Sequence, residues 1–383
     1  MTVYLDHAAT TPMLAEAMDA YVDSLGIVGN PSSIHTQGQQ AKRMLEEARE
    51  SVAASLGADP IEVVFTSGGT EAINLGIKGL FWARNAAGDR PRIVAPRGEH
   101  HATIDAVEWL ERHEGAVVDW IPIDSAGRVD VAALAEALGP DVALVTLLAA
   151  NNEVGTLQPV DEVAALADAH GVPVHVDAVS SYGHVPLDFG ASGLAAVSVS
   201  AHKIGGPLGI GALVLSRSAA VEPLIHGGGQ QRQVRSGTQD APAAVAFGVA
   251  ARHPLPALEP LRDRIVAGVL SSVPDAVLRG DPRRRLPGNA HFTFPGCEGD
   301  SLLFLLDSAG VSVSTGSACQ AGIPEASHVL LAMGLTEDDA RGALRFSVGH
   351  STTEADVDAL LAALPPAVQR ARRAGLTGSP VRS

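Results

Sequence analysis

Apolar positions along the first two thirds of the chain follow two alternating patterns. Over residues 39–57 the apolar side chains recur at the spacing of one helix face, which predicts an amphipathic helix with Gly57 at its end. Short apolar runs typical of buried strands lie at residues 63–65, 92–95, 117–121, 142–148, 172–176 and 196–200. Apolar strands that alternate with helices predict a mainly parallel sheet covered on both faces.

A second unit is predicted after a proline-rich stretch at residues 253–256. Beyond it the chain has a strand-like run at 289–294, a helical pattern at 300–310 and another strand-like run at 311–314. This order of elements indicates a smaller α/β unit.

The length of 383 residues fits two domains, at roughly 100–200 residues per domain. We expect a large domain over residues 12–255 and a small domain over residues 1–11 and 256–365. Residues 366–383 are basic and contain Gly, Pro and Ser, so we expect a flexible tail there.

Charge and cysteine content exclude several classes of protein. The formal net charge of −16 argues against a sequence-independent DNA binder, because a phosphate backbone requires a basic surface. Two cysteines, Cys297 and Cys319, are too few for a disulfide-dense scaffold or, alone, for a structural zinc site, and we expect no metal. The sequence shows no signal peptide, and its most apolar stretch, at 142–150, is too short to cross a bilayer, so we expect a cytoplasmic protein without membrane association.

Polar clusters follow the predicted strands, where the ligands of parallel sheets bind. Lys203 comes after one apolar strand and Asp177 ends another. A lysine held in a partly dry pocket becomes a nucleophile, and a Schiff-base lysine with an aspartate for the pyridinium nitrogen is the pair that pyridoxal phosphate requires. The alternative for Lys203 is an ordinary surface amine, and spacing alone does not decide between the two.

The segment TSGGTE at residues 66–71 is a candidate phosphate cradle. It follows a strand and opens a helix, so it offers free backbone N–H groups and hydroxyls to an anion. The alternative is a plain capped turn. Because the segment lacks the lysine of a P-loop, a nucleoside triphosphate is disfavoured.

Ten segments together resemble the cysteine desulfurases, which are fold-type-I pyridoxal-phosphate enzymes of the class V aminotransferase group. They are YLDHAATTP (4–12), GNPSSIHTQG (29–38), VFTSGGTEAINLGIKG (64–79), GEHHA (98–102), NNEVGTLQP (151–159), HVDAV (175–179), SAHKIGGPLGIGAL (200–213), HGGGQQRQVRSGTQD (226–240), STGSACQAG (314–322) and RFSVG (345–349). The resemblance implies an α/β fold, with a mainly parallel seven-stranded sheet in the large domain and a smaller α/β domain. It also implies a homodimer that uses pyridoxal 5'-phosphate.

The resemblance assigns a role to each matching position. Lys203 binds the cofactor, Asp177 pairs with its pyridine nitrogen, and His100 stacks on its ring and helps to move protons. The remaining cofactor contacts are assigned to Gly69, Thr70, Asn152, Ser180, Ser200, His202 and, from the other subunit, Thr238. Substrate binding is assigned to Arg345, Asn30 and Asn152, and the alternative for Arg345 is a structural ion pair.

Cys319 is the implied nucleophile that takes sulfur from L-cysteine. Small and polar neighbours, from Ser314 to Gly322, suit an exposed mobile loop better than a core. The Gly-Ser-Ala-Cys context resembles the subgroup with the longer catalytic loop, which implies transfer to a protein acceptor. An iron–sulfur scaffold protein, a tRNA-thiolating enzyme or another sulfur carrier would suit this role. Cys297 has no motif around it and is interpreted as a packing residue.

One position departs from the family pattern. Where the family usually has Gln after HVDAV, this chain has Ser180, and we expect its shorter side chain to reach the cofactor only through water. Other reactions of the same fold stay open as alternatives, namely selenocysteine lysis, cysteine-sulfinate chemistry and transamination. A scaffold that has lost turnover is a further alternative.

Overall fold

The computed structural model describes residues 2–316 and 326–378. Its helices are α1 (Ala15–Leu25), α2 (Thr36–Ser55), α3 (Gly69–Arg84), α4 (His101–Glu114), α5 (Val131–Ala137), α6 (Val160–Asp168), α7 (Phe189–Ser192), α8 (Ala241–Arg252), α9 (Glu259–Ser272), α10 (Gly299–Ser308), α11 (His328–Ala332), α12 (Glu337–Arg341) and α13 (Glu354–Gly378). Its strands are β1 (Val3–Tyr4), β2 (Val63–Thr66), β3 (Arg92–Pro96), β4 (Val117–Ile121), β5 (Val142–Leu148), β6 (Val174–Asp177), β7 (Ala196–Ser200), β8 (Gly211–Leu215), β9 (Val277–Arg279), β10 (Asn289–Thr293), β11 (Val311–Ser312) and β12 (Ala343–Ser347).

A seven-stranded sheet forms the centre of the larger unit, in the order β2-β8-β7-β6-β5-β3-β4. The two pairings of β8, with β2 and β7, are antiparallel and the other four pairings are parallel, which confirms the mainly parallel fold expected from the sequence. The predicted strands lie at or within two residues of their expected positions, whereas β8 was not predicted as a strand.

Helices cover both faces of this sheet, because consecutive strand residues point to opposite sides. On β5, Val145 packs with Leu45 of α2 and Phe247 of α8 in one buried cluster. Its neighbour Leu144 packs in a different cluster with residues of α3 and α4. The strands therefore lie between two apolar layers, and their carboxyl ends are the edge left open for a site.

A three-stranded antiparallel sheet, in the order β12-β10-β9, forms the smaller unit. Its core contains Phe292, Phe294 and Phe346, together with buried residues of α9, α10 and α13. The N-terminal strand β1 pairs with β11, and Leu5 is fully buried in this same core. The predicted boundary between residues 255 and 256 stays a prediction.

Helix α13 differs from the expectation of a flexible tail after residue 365. It continues to Gly378, so the described part of the expected tail is helical, although Pro365 and Pro366 lie within it. Val368 and Ala371 are each 2% exposed and belong to the small core. Their burial on one helix face stabilises a segment whose composition alone indicates flexibility. Among the helices described, none is both long and apolar enough to span a bilayer.

Candidate active site

A cavity of about 370 Å³ lies at the carboxyl ends of the central strands, between the larger and smaller units. It brings together nine of the residues that the sequence analysis singled out, namely Gly69, Thr70, His100, Asn152, Asp177, Ser180, His202, Lys203 and Arg345. Parallel strands end at one edge of a sheet, and for this reason positions distant in sequence meet here.

Lys203 ends a short 3-10 turn, Ala201–Lys203, directly after β7. Its Nζ donates hydrogen bonds to the carbonyl oxygens of Ala8 and Ala9, the latter at 2.9 Å. Burial, and next the charge of Arg345, lower the pKa of Lys203 to about 8. The neutral, nucleophilic amine is therefore much more populated near neutral pH than in a surface lysine.

Lys203 is also the only lysine of the chain that lines this cavity. The sequence contains two others, Lys42 and Lys78. Lys42 is exposed on α2, and the Nζ of Lys78 lies 4.3 Å from the ring centre of Trp109. An aldehyde held in the cavity consequently has one lysine with which it can react.

Asp177 is 2% exposed at the end of β6. Its Oδ1 accepts a hydrogen bond from the backbone N–H of Val179 at 2.9 Å. Burial raises the pKa of Asp177 to about 6. Among the described ion pairs this carboxyl has no cationic partner, and a positively charged ring nitrogen bound in the cavity would supply one.

The glycines that begin α3 and β8 are packed too tightly to accept side chains. A Cβ at Gly69 would lie 2.6 Å from Cγ2 of Val179, and one at Gly211 would lie 2.8 Å from the carbonyl carbon of Gly68. This packing leaves the N-terminus of a 16-residue helix open to the cavity, with Thr70 exposed beside it. Backbone N–H groups and a hydroxyl in this arrangement fit a phosphate.

Two polar residues of the β7 end lie next to this cradle. Ser200 is 1% exposed, and its Cβ lies 3.6 Å from the Cβ position built on Gly69. His202 lines the cavity, with its Nδ1 3.2 Å from Oγ1 of Thr10. Burial and then Lys203 lower the pKa of His202 to about 4, so its ring is neutral at neutral pH.

His100 caps α4 and lines the same cavity. Its Nδ1 accepts a hydrogen bond from the backbone N–H of Ala102 at 3.1 Å. Burial, followed by the charge of Lys203, lowers the pKa of His100 to about 4. The ring is thus neutral with its proton on Nε2, which makes Nε2 a donor.

Arg345 on β12 is 4% exposed and reaches the cavity from the smaller unit. Its Nη1 donates to the carbonyl oxygen of Asn152, and its Nη2 to Oδ1 of Asp6, each at 2.8 Å. The structural ion pair considered as an alternative is therefore present. Nε of the same guanidinium is buried without a hydrogen-bond partner among the described residues, so donor capacity for an anion is left.

Two predicted residues lie away from the cavity. Asn30 is exposed between α1 and α2, where its Oδ1 accepts from the backbone N–H of Ser32, and it does not line the cavity. Thr238 is exposed before α8 and likewise does not line the cavity of its own chain. Cys319 lies outside the described residues. Cys297 is 5% exposed within the small core, in keeping with a packing role.

Sequence reasoning missed a buried polar layer beside the cavity. Glu99 is 1% exposed, and its Oε1 accepts from the backbone N–H of Leu148 at 2.9 Å; burial raises its pKa well above the usual range. Ser327 donates to the buried Glu153, and the next residue, His328, lines the cavity. Glu99 and Glu153 lie within two of the quoted motifs, which is a usable signal. No local sequence pattern marks His328, because only the fold brings α11 to the cavity.

No group of three or more His, Cys, Asp or Glu side chains within residues 2–316 and 326–378 is arranged to hold a metal ion.

Comparison with known proteins places these features in one family. The model of aminotransferase class V matches residues 3–360. The chain is 54% identical to an IscS-like cysteine desulfurase of Mycobacterium tuberculosis, over 98% of each chain. It is 44% identical to a cysteine desulfurase of Cereibacter sphaeroides, over 97% of this chain and 96% of the relative. A solved NifS-like protein superposes with a TM-score of 0.90 at 34% identity, covering 97% of this chain and all of that one.

Proposed function

The chain belongs to the class V aminotransferase family, and we propose that it is a cysteine desulfurase that converts L-cysteine to L-alanine and passes the sulfur to an acceptor. The observation that carries this proposal is the enclosed amine of Lys203, which shares one cavity with the buried carboxyl of Asp177 and the guanidinium of Arg345. An amine, an acid and an anion-binding group are what an amino-acid substrate and an aldehyde cofactor require together.

The cofactor of this family is pyridoxal 5'-phosphate, and the residues of the cavity fit it. Lys203 would bind its aldehyde, Asp177 its pyridine nitrogen and the α3 cradle its phosphate. When bound, the cofactor supplies an electron sink for the negative charge left on the substrate carbon. The further proposed contacts are Gly69, Thr70, Asn152, Ser200, His202 and Thr238 of the partner subunit.

Lys203 also acts as the base that removes the Cα proton of the substrate. Its lowered pKa makes the neutral amine available, and the carbonyl oxygens of Ala8 and Ala9 orient Nζ by accepting its hydrogens. The same oxygens stabilise the ammonium that forms when the proton is taken.

Arg345 binds the substrate carboxylate. Asp6 and the Asn152 carbonyl hold two of its nitrogens, so the plane of the guanidinium is fixed before substrate arrives. The buried Nε without a partner is one donor that such a carboxylate would satisfy. Asn30 is proposed to assist in binding this carboxylate, which requires that a second subunit or a movement brings Asn30 to the cavity.

Ser180 lines the cavity where the family usually has the longer Gln. We propose that a water molecule completes the contact between its hydroxyl and the cofactor oxygen. Ser180→Gln is expected to retain activity.

Sulfur leaves the site as a persulfide on Cys319, and a second protein accepts it. An iron–sulfur scaffold protein or a tRNA-thiolating enzyme is the proposed acceptor, and a homodimer is the proposed assembly, since Thr238 lies away from the cavity of its own chain. A thiol that cycles through a persulfide needs a reducing compartment, which supports a cytoplasmic location.

The proposal is tested by incubating the purified protein, loaded with pyridoxal phosphate, with L-cysteine. In the first turnover we expect L-alanine and protein-bound sulfane sulfur in equal amounts. Cys319→Ser should still bind cofactor and substrate but transfer no sulfur, whereas Cys297→Ala, a matched control in the small core, should transfer normally. Normal sulfur transfer by Cys319→Ser would reject the assigned nucleophile. Selenide, sulfite or a keto acid as the main product would assign one of the other reactions of this fold.

A further inference from the structure

Four histidine rings line the cavity, those of His100, His101, His202 and His328, and hydrogen bonds to the backbone decide whether His100 or His328 can take up a proton. His100 follows β3, His101 begins α4 and His328 begins α11. A neutral imidazole has one N–H and one lone pair, so a bond that fixes one nitrogen also fixes the other. The backbone partners of two of these rings therefore assign their tautomers.

His100 is unsuited to accept a proton. Its lone pair at Nδ1 is occupied by the N–H of Ala102, in the bond that caps α4. Protonation would break this cap and place a positive charge next to the Lys203 amine. Within the cavity, His100 can only donate, from Nε2.

His328 has the opposite arrangement. Its Nε2 lies 2.8 Å from the carbonyl oxygen of Glu99. A carbonyl oxygen can only accept, so Nε2 carries the proton and Nδ1 carries the lone pair. None of the described residues forms a hydrogen bond with Nδ1.

Contacts on other sides hold the His328 ring in place. Its centroid lies 4.8 Å from that of the His101 ring. The preceding Ser327 caps α11 and donates to the buried Glu153, which follows Asn152. A carboxylate stands behind this ring pair, because Oδ1 of Asp105 lies 4.0 Å from Nδ1 of His101.

We propose that His328, at Nδ1, accepts the proton that the attacking thiol loses during desulfurisation. The inference rests on the proposed function. The thiol gives its proton to Nδ1, and the resulting thiolate attacks the sulfur of L-cysteine. The S–S bond forms as the Cβ–S bond breaks, and the electron pair of that bond goes to Cβ. The thiol sulfur is oxidised and Cβ is reduced, so no outside oxidant is required, and a proton on Cβ completes L-alanine.

The test compares two proton transfers in His328→Gln, whose amide N–H can still donate to the Glu99 carbonyl. We expect the kcat for L-alanine formation to fall about 100-fold or more, the usual contribution of a general base, with a KM for L-cysteine within about threefold of the unchanged protein. Exchange of the substrate Cα hydrogen with solvent deuterium, which reports on Lys203, should stay within about twofold. Added imidazole should restore part of the L-alanine rate. His113→Gln, an exposed histidine on α4, is the matched control and should change none of these quantities.

Nitrogen-15 NMR of the histidine rings, recorded without cofactor, gives a second readout. We expect the proton on Nε2 of both His100 and His328, and no protonation of His100 as the pH falls from 8 to 5. A proton on Nδ1 of His328, an L-alanine rate of His328→Gln within threefold of the unchanged protein, or an equal loss of exchange and L-alanine would each overturn the assignment. Absence of L-alanine from the unchanged protein would overturn the proposed function as well.

Discussion

The two sides of the cavity are built by different means. On the side of the large sheet, Lys203 and Asp177 follow neighbouring strands, β7 and β6, so the backbone of one sheet sets the distance between them. On the other side, Arg345 and His328 come from the smaller unit. Arg345 donates a hydrogen bond to the backbone carbonyl of Asn152, and His328 donates one to that of Glu99. We call this side the proposed substrate side and the side of Lys203 and Asp177 the proposed cofactor side.

The electrostatics of the two sides differ as well. Burial without a strong counter-charge shifts the pKa of Lys203 down and that of Asp177 up, which prepares both for a ligand that supplies the missing charges. Arg345 instead already has Asp6 as a partner. Desolvation thus shifts the pKa values on the proposed cofactor side, whereas the ion pair with Asp6 orients Arg345 on the proposed substrate side. Changes on the two sides should therefore have different effects on kcat and KM.

The largest effect is expected on the cofactor side, from Lys203→Ala. Removal of the amine takes away both the nucleophile for the aldehyde and the base for the Cα proton, so L-alanine formation should fall by roughly 10³-fold or more. Steady-state assays of L-alanine measure the loss. The exposed Lys42→Ala is the control, and equal rates in the two variants would contradict the role of Lys203.

Asp177→Asn should have the next largest effect. The amide keeps the size of the side chain but removes the charge that would pair with a buried ring nitrogen, at a cost of about 3–4 kcal/mol, or roughly 10²- to 10³-fold in rate. We expect this loss in kcat for L-alanine, with the exposed Asp168→Asn unchanged. A variant with full kcat would show that no cation binds opposite this carboxyl.

A smaller effect, confined to binding, is expected from Arg345→Lys on the substrate side. The ammonium keeps the charge but not the planar donor set, and a hydrogen bond to a charged group contributes about 1.5–3 kcal/mol, so KM for L-cysteine should rise roughly 10- to 100-fold. We expect kcat to change less than KM. If kcat fell and KM stayed the same, the claim that Arg345, oriented by Asp6, acts in substrate binding would be wrong.

The smallest effect per group is expected in the pH dependence of stability, which involves both sides. Burial is the main cause that lowers the pKa of five histidines to about 3 or 4, namely His7, His100, His175, His202 and His291. Below pH 6.5 the unfolded chain binds more protons than the folded one at these positions, so stability should fall as the pH falls, by about 1.4 kcal/mol per unit per histidine at most. The raised pKa values of Asp177 and Glu99 act in the opposite sense but are fewer.

Thermal unfolding of the cofactor-free protein between pH 4 and 8 measures this dependence. A Tm that rose as the pH fell from 6.5 to 5 would contradict the burial of these rings as neutral groups.

The same contrast explains how far the sequence could predict the molecule. Strand-end residues such as Lys203 and Asp177 could be predicted from the sequence, because apolar runs mark the strands and the ends of parallel strands lie at one edge of the sheet. Motif resemblance supplied Arg345, although its pairing with Asp6 required the fold. His328 depends on packing between the two units, which leaves no local pattern in the chain. Helix α13 was missed because burial of Val368 and Ala371 outweighs a composition that indicates flexibility.

The most direct test of the account is reduction of the cofactor-loaded protein with borohydride, followed by peptide mapping. Only three lysines are available, Lys42, Lys78 and Lys203, so the position of the adduct is unambiguous. We predict one pyridoxyl group per chain, on the peptide that contains Lys203. An adduct on Lys42 or Lys78, or no adduct on a protein that forms L-alanine from L-cysteine, would contradict the central claim.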